Sequence, residues 1–326
     1  TYIMRALSPT RIERGREILE SSPNILKTVA ERHQIPPEII IAFWGLETNF
    51  GDYLGKIDTF HALATLAYDP RRSKFFRTEL LHSLRLLDSG KLPRAQFMGS
   101  WAGAMGHMQF MPSTLQAYGI DGNQNNVINL RGEIADALLS AGNFLQAIGW
   151  NKTIPWGCEV TLPADFSYTS ITKDMRPLRV WRAMGVEVLT GCTFDDASKA
   201  RMLLPAGASG PKFLLSDNFA VILRWNRSNF YALAVGILSD RIAGRAGMVH
   251  PLPNNVEKWD RNFIKFVQTR LNILGFDAGE VDGIMGSKTR DALRWFQISQ
   301  HLPADGYPDN NTLALLRAQK GVAAQK

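Results

Sequence analysis

Catalysis needs ionisable or nucleophilic side chains in unusual surroundings, and one glutamate in this sequence fits that description. Ile40, Phe43, Trp44 and Glu47 stand at i, i+3, i+4 and i+7. Glu47 therefore continues an apolar helix stripe where the pattern asks for another hydrophobe. It also falls in the last turn of that helix, where the dipole disfavours negative charge. Both effects push a carboxyl pKa upward, toward what a general acid needs near neutral pH. A glutamate reaching to solvent, or paired with a nearby base, is the structural alternative. Other chemical signatures are missing: there is no HExxH, no Walker loop and no GxSxG elbow. The six histidines, at 33, 61, 82, 107, 250 and 301, show no metal-ligand spacing. Gly99, Gly103 and Gly106 do not fit GxGxxG, and no strand pattern precedes them.

The elements that must position Glu47 read as helices. Ser8-Pro9 is a start signal for a helical pattern that runs to about residue 33, and Pro36-Pro37 opens the Glu47 helix, which ends near Gly51. Residues 59–88 read as one or two further helices, with Leu63, Leu66, Leu80, Leu84 and Leu87 as core candidates. A loop of Gly, Met and small residues covers 98–113. Residues 133–148 read as a helix with Ile134, Leu138, Ala141 and Leu145 on one face. The segment 150–215 changes character, and runs such as Arg179-Val180-Trp181 and Gly185-Val186-Glu187-Val188 suggest short strands. Helical pattern returns at 228–243, and a link from His250 to Asn255 precedes a compact tail.

That tail contains an internal repeat. Asp282-Gly283, Thr289 and Leu293 recur with the same spacing as Asp305-Gly306, Thr312 and Leu316. Each copy is an Asp-Gly turn, a helix start and a core-facing leucine. Ile264, Val267, Leu271 and Leu274 form a stripe ahead of them, closed by Gly275, so three short helices make a separate small bundle.

Composition bounds the partners. The 326 residues, 45% hydrophobic and 21% charged, suit two or three soluble folding units. Lys and Arg total 37 against 30 acidic residues, a formal charge of +7. A basic surface suits nucleic acid, anionic lipid or a carboxylate-bearing cell wall. The charges are scattered, however, and no nucleic-acid motif accompanies them. The longest apolar run, Ile39 to Leu46, is too short to span a bilayer. There is no signal peptide at Thr1, which a mature form would lack in any case. Cys158 and Cys192 read equally as one disulfide or as two buried thiols.

Four segments carry a family resemblance. Trp44-Gly45-Leu46-Glu47-Thr48-Asn49-Phe50-Gly51 resembles the catalytic-glutamate motif of the membrane-bound lytic transglycosylase B family. The fourteen residues Ser100 to Ser113, Ser-Trp-Ala-Gly-Ala-Met-Gly-His-Met-Gln-Phe-Met-Pro-Ser, are similar to its second motif. Ala141-Gly142-Asn143-Phe144-Leu145 and Gly149-Trp150 resemble the third, and Trp225-Asn226-Arg227-Ser228-Asn229-Phe230-Tyr231-Ala232 the fourth. The likeness spans roughly residues 1–250. The tail, from Phe266-Val267-Gln268 to Phe296-Gln297, is similar to the first family of peptidoglycan-binding domains.

The resemblance implies a mainly α architecture. It comprises a lysozyme-like catalytic region over 1–253, with helical and small mixed α/β insertions (one at about 151–215), and a three-helix peptidoglycan-binding domain over 254–326. It implies cleavage of the β-1,4 bond between N-acetylmuramic acid and N-acetylglucosamine, with Glu47 as the single acid and base and a 1,6-anhydro product formed without water. Ser100 and Gln109 would hydrogen-bond the sugar, Asn226 would orient the acetamido group, and Tyr231 would lie beside Glu47. Phe110, Phe144 and Trp225 would supply ring contacts. At Phe144 and Trp225 the family often has Tyr, so a hydroxyl is missing there. Asp52 is the nearest other acid, read as a solvated turn carboxylate. Asp121, Asn123 and Asn125 stand at positions 1, 3 and 5 of a loop like the family's EF-hand-like loop, but position 12 is Gly132 and Asp136 is the nearest late ligand. So few charges favour a polar loop closed by Asn turns, and no metal or other cofactor is assigned. The expected partners are glycan strands and stem peptides, with no nucleic acid and no transmembrane segment. The chain is expected to be a periplasmic monomer, soluble or formerly lipid-anchored. A water-using muramidase and a non-catalytic wall-binding protein are the competing readings.

Overall fold

Prolines and capping side chains punctuate the N-terminal helices. Pro9, Pro23, Pro37 and Pro112 each open a helix at its first position, where a missing N–H costs nothing. The computed structural model describes residues 2–172, 174–189, 192, 194–253 and 259–319. Part of the link expected at His250 to Asn255, and the boundary expected after 253, lies outside the described residues. The chain divides into two compact units, residues 1–156 with 217–247 and residues 157–216 with 248–326.

The first unit is helical: α1 (Tyr2–Ala6), α2 (Pro9–Ser21), α3 (Pro23–His33), α4 (Pro37–Thr48), α5 (Thr59–Tyr68), α6 (Ser73–Asp88), α7 (Pro112–Tyr118), α8 (Ile134–Ala147). A two-stranded ladder, β1 (Ile57–Asp58) with β2 (Met98–Gly99), ties the segment after α4 to the loop before α7. The unit closes with α10 (Asp217–Trp225) and α11 (Asn229–Ile242), while α9 belongs to the second unit. At its centre lies α4, packed by α2, α3, α8 and α11. Every residue from Ile39 to Gly45 is buried, so α4 is apolar all round and carries no single stripe. Two other expectations need correction. Leu84 is 48% exposed, because α6 turns Phe76, Leu80, Ser83 and Leu86 inward instead. Ile134 is 43% exposed at the start of α8, where it precedes the packed face of Leu138, Ala141 and Leu145.

The second unit joins a sheet to a helical tail. Its five antiparallel strands run in the order β4 (Arg176–Pro177), β6 (Lys199–Leu203), β7 (Lys212–Leu215), β3 (Gly157–Thr161), β5 (Glu187–Val188). The run at Arg179-Val180-Trp181 is helical, not a strand: it lies in α9 (Leu178–Ala183). Pro177 supplies the turn into it, and Leu178 and Trp181, at i and i+3, bury fully against the sheet. Cys158 on β3 and Cys192 are disulfide-bonded, with Cα atoms 5.8 Å apart.

In the tail, α12 (Arg261–Ile273), α13 (Ser287–Ser299) and α14 (Asn310–Ala318) pack around Val267, Leu271, Leu293, Phe296 and Leu316. The repeat read in the sequence has a polar counterpart in space. Gln268 Nε2 donates to Asp282 Oδ1, the Ile284 carbonyl and Thr289 Oγ1, while its Oε1 accepts from the Gly283 amide. Gln297 does the same with Asp305, Tyr307, Thr312 and Gly306. Both glutamines are 2% exposed, so burial without such partners would cost several kcal/mol each, on the order of ~2–7. In the second copy Asp305 Oδ2 also accepts the Ala208 amide at 2.6 Å.

Candidate active site

The site is built where α4 ends. Asn49, Phe50 and Gly51 are all left-handed, with φ of 52°, 61° and 95°, which stops the helix immediately after Glu47 and Thr48. Phe50 folds back over α4 so closely that a Cβ on Gly45 would lie 2.8 Å from its ring. From α2, Arg11 donates to Asn49 Oδ1 at 3.3 Å and to the carbonyls of Arg5 and Ala6. Arg14 and Asn49 both bind Asp52, which depresses that carboxyl's pKa through their hydrogen bonds. Asp52 is thus a partnered, half-exposed carboxylate that braces the turn.

Glu47 is half-buried among aromatic rings. Phe43 and Trp225 lie 4.4 Å apart, Phe110 and Trp225 5.3 Å, and Phe144 and Trp225 5.3 Å between centroids. Two donors reach Oε1: the Trp225 indole nitrogen at 2.9 Å and the Tyr231 hydroxyl. Oε2 has no hydrogen-bond partner among the described residues. Burial raises the carboxyl pKa and the two hydrogen bonds lower it; burial wins, and the value rises to about 7. Both donors flank the turn joining α10 to α11. Trp225 ends α10, and Ser228 caps α11 by accepting the Tyr231 amide at 3.3 Å. The tyrosine hydroxyl absent at position 225 is therefore replaced by an indole N–H that holds the glutamate. Asn226 is exposed, its Oδ1 taking the Ser228 amide at 3.2 Å.

Beside this cluster lies the loop before α7, which supplies Phe110 to it. Gly99 pairs with Met105, and Met105 with Phe110, so the loop folds tightly on itself. Ser100 Oγ accepts the amides of Ala102 and Ala104 at 3.3 and 3.1 Å, which leaves its hydroxyl hydrogen available to donate. Gln109 adopts φ 49° and donates Nε2 to the Gly106 carbonyl, leaving its amide oxygen as an acceptor. Phe110 is 2% exposed, and Phe144 packs between it and Tyr118, with centroids 5.7 and 4.9 Å away. All eight residues singled out from the sequence lie in the first unit; Glu47, Phe110, Phe144, Trp225 and Tyr231 form one linked cluster. Sequence reading missed Tyr2. Its hydroxyl lies within the field of Glu47 and Tyr231, and burial followed by the Glu47 charge raises its pKa. No local pattern at Tyr2 announces this, because only the packing of α1 on α11 brings it there.

The polar loop after α7 is closed by its own side chains. Asp121 accepts the amides of Asn125 and Asn126, Asn123 that of Asn125, and Asn125 that of Val127. Asp136 accepts Gly122 and Asn129 amides with its two oxygens, and Gly132 offers no side-chain ligand. Among the described residues no group of three or more His, Cys, Asp or Glu could hold a metal ion.

A helical body built around one half-buried glutamate, with an aromatic wall and a polar loop beside its helix, defines a lysozyme-like fold. The transglycosylase SLT domain family matches residues 1–240, and the chain belongs to it. A putative peptidoglycan binding domain matches residues 260–316. Among curated proteins the chain is similar to membrane-bound lytic murein transglycosylase B of Escherichia coli K12, 30% identical over 245 residues. That match covers 74% of this chain and 66% of the relative, just under two thirds of its length. Among solved structures it is similar to SltB3 of Pseudomonas aeruginosa in complex with NAG-anhNAM-pentapeptide. The TM-score is 0.91 at 39% identity, over 97% of this chain and 86% of that one. Soluble lytic transglycosylase SltB1 of the same organism gives 0.67 at 32% identity, over 74% and 82%.

Proposed function

We propose that the chain is a peptidoglycan lytic transglycosylase in which Glu47 alone is acid and then base. The observation that carries this reading is a carboxyl enclosed by the Phe43, Phe110, Phe144 and Trp225 rings and held by two donors on one oxygen, surroundings whose burial raises its pKa to about 7. Protonated Glu47 donates to the oxygen between N-acetylmuramic acid and N-acetylglucosamine, while the muramoyl acetamido group covers the charge developing at C1. The carboxylate so formed takes the proton of the C6 hydroxyl, which attacks C1 and closes a 1,6-anhydro ring. No cofactor enters these steps. Ser100 donates to the sugar, Gln109 Oε1 accepts from it, Asn226 orients the acetamido group, and Phe110, Phe144 and Trp225 give the ring its apolar wall. Asp52, bound by Arg14 and Asn49, has no part as a nucleophile.

The same proposal places the enzyme in the periplasm, remodelling murein as a monomer. The disulfide supports an oxidising compartment, and no helix among the described residues is long and apolar enough to cross a membrane. The tail keeps glycan strands and stem peptides near Glu47 by raising their local concentration. Mass spectrometry of products from purified sacculi tests the reaction. Anhydromuramoyl ends are expected from the wild type and none from Glu47→Gln; reducing-end muramic acid, heavier by one water, would replace the proposal with a hydrolase.

A further inference from the structure

One histidine joins the glutamate helix to the loop facing it. The His107 Nδ1 accepts the Trp44 indole N–H at 3.0 Å, and its carbonyl accepts the Thr48 hydroxyl at 2.9 Å. Trp44 and Thr48 bracket Glu47 on α4. The His107 amide donates to the Leu130 carbonyl at 2.8 Å, and its ring meets the Trp44 ring edge-on, 5.4 Å between centroids. The ring also fills the space over Gly51, where a Cβ would lie 2.4 Å from Cε1. An indole nitrogen can only donate, so Nδ1 must be bare. The single ring proton then sits on Nε2, with the Arg131 backbone beside the ring.

We propose that His107 is a positioning residue, holding Glu47 against the loop of Ser100, Gln109 and Phe110 only while its imidazole is neutral, and so sets the acid limit of activity. This rests on the reading of Glu47 as the acid. A second ring proton would place two N–H donors face to face at the Trp44 contact. The ring must then turn out of the space over Gly51, leaving the indole N–H buried and unpaired. Burial and the Arg131 charge hold the His107 pKa below its ordinary value, so the break comes below about pH 6.5. Arg131 is the charged group among the described residues that faces the ring. α4 faces it with Trp44 and Thr48, and the following turn with Gly51, none of which titrates there. Glu47 stays protonated in that range, so its own titration removes activity only on the alkaline side. A decline on the acid side needs another group.

Two measurements on the full chain test this. Turnover of purified glycan strands is followed from pH 4.5 to 8 for the wild type and for His107→Asn. The Asn amide oxygen takes the place of Nδ1 and cannot titrate. The wild-type indole N–H resonances are followed over the same range, with Trp44→Phe as the assignment. Expected is a loss of wild-type turnover on the acid side of pH 6.5, about tenfold for each pH unit below the midpoint of the Trp44 resonance and in step with it. His107→Asn, relative to its own rate at pH 6.5, should lose less than about threefold if the titrating proton is gone. A Trp44 resonance that stays still across the wild-type acid limb overturns the proposal, whether or not the Asn variant folds. So does an Asn variant with the wild-type midpoint. Activity surviving in Glu47→Gln would defeat the reaction scheme alone, because the resonance reports His107 without turnover.

Discussion

At the residue scale, Glu47 is governed by the balance between burial and two hydrogen bonds. The folded carboxyl keeps its proton to about pH 7, whereas the unfolded reference releases it at 4.5. Between those values the folded state binds more protons, so stability falls as pH rises through that window, by about 3 kcal/mol in total. Glutamine cannot ionise. Glu47→Gln should therefore melt above the wild type at pH 8 and with it at pH 4, as thermal unfolding at the two pH values would show. Activity that needs protonated Glu47 should fall as pH rises through about 7. Tyr231→Phe removes a bond that lowers this pKa, so the alkaline limb of its pH profile should move upward, and an unmoved limb would contradict the assignment. Glu47 was legible because an acid among Ile40, Phe43 and Trp44 breaks a hydrophobic pattern. The Trp225 N–H was not, since a tryptophan reads as a ring until its nitrogen is seen facing an oxygen. Tyr2 was invisible for a different reason: only tertiary packing relates it to residues 47 and 231.

Elements place these residues through backbone contacts too close for side chains. Gly55, at φ 79°, lies against β2, and a Cβ there would fall 2.1 Å from the carbonyl of Gly99. Backbone cannot yield as a side chain tip does. Gly55→Ala should cost roughly 2–4 kcal/mol, from left-handed strain and overpacking together. It should also depress turnover, because β1 and β2 set the loop of Ser100 beside the end of α4. Chemical denaturation and kinetics on the same variant check both. Helix existence was readable at Pro37 and Ser228, where a proline and a capping serine mark the starts, but not at Pro112 or Asp217, which open short helices. Facing was less so. Leu84 and Ile134 satisfy a leucine or isoleucine spacing yet point outward, because the neighbouring helices sit on the Phe76 and Leu138 sides. At Leu178 to Ala183 a short apolar run after a proline was ambiguous between strand and helix, and packing of Trp181 decided it.

At the scale of the whole molecule, the duplicated Gln-Asp-Thr networks show what a repeat can and cannot reveal. Spacing exposed the Asp-Gly turns and leucines, but Gln268 and Gln297 stand at different distances from their aspartates and escaped it. Nor could spacing show that Asp305 alone has a second task at the Ala208 amide. Asparagine at 305 keeps an oxygen for Gln297 and turns its NH2 toward that amide. Asp305→Asn should thus weaken the docking of residues 205–210 by about 2 kcal/mol while leaving the turn intact. Hydrogen exchange should quicken at 205–210, whereas Asp282→Asn should leave that segment unchanged.

The discontinuity of the first unit bears on the order in which the chain is made. Glu47 is made before Trp225 and Tyr231, which follow the whole sheet segment that separates residue 156 from 217. Asn218 then pins the re-entry point to Asn151 and Ile154, so the closing helices dock only at this late stage. A nascent or prematurely terminated chain therefore carries its glutamate without either donor and without the ring wall beside it. The site as described is thus complete only once the chain has been made through Tyr231.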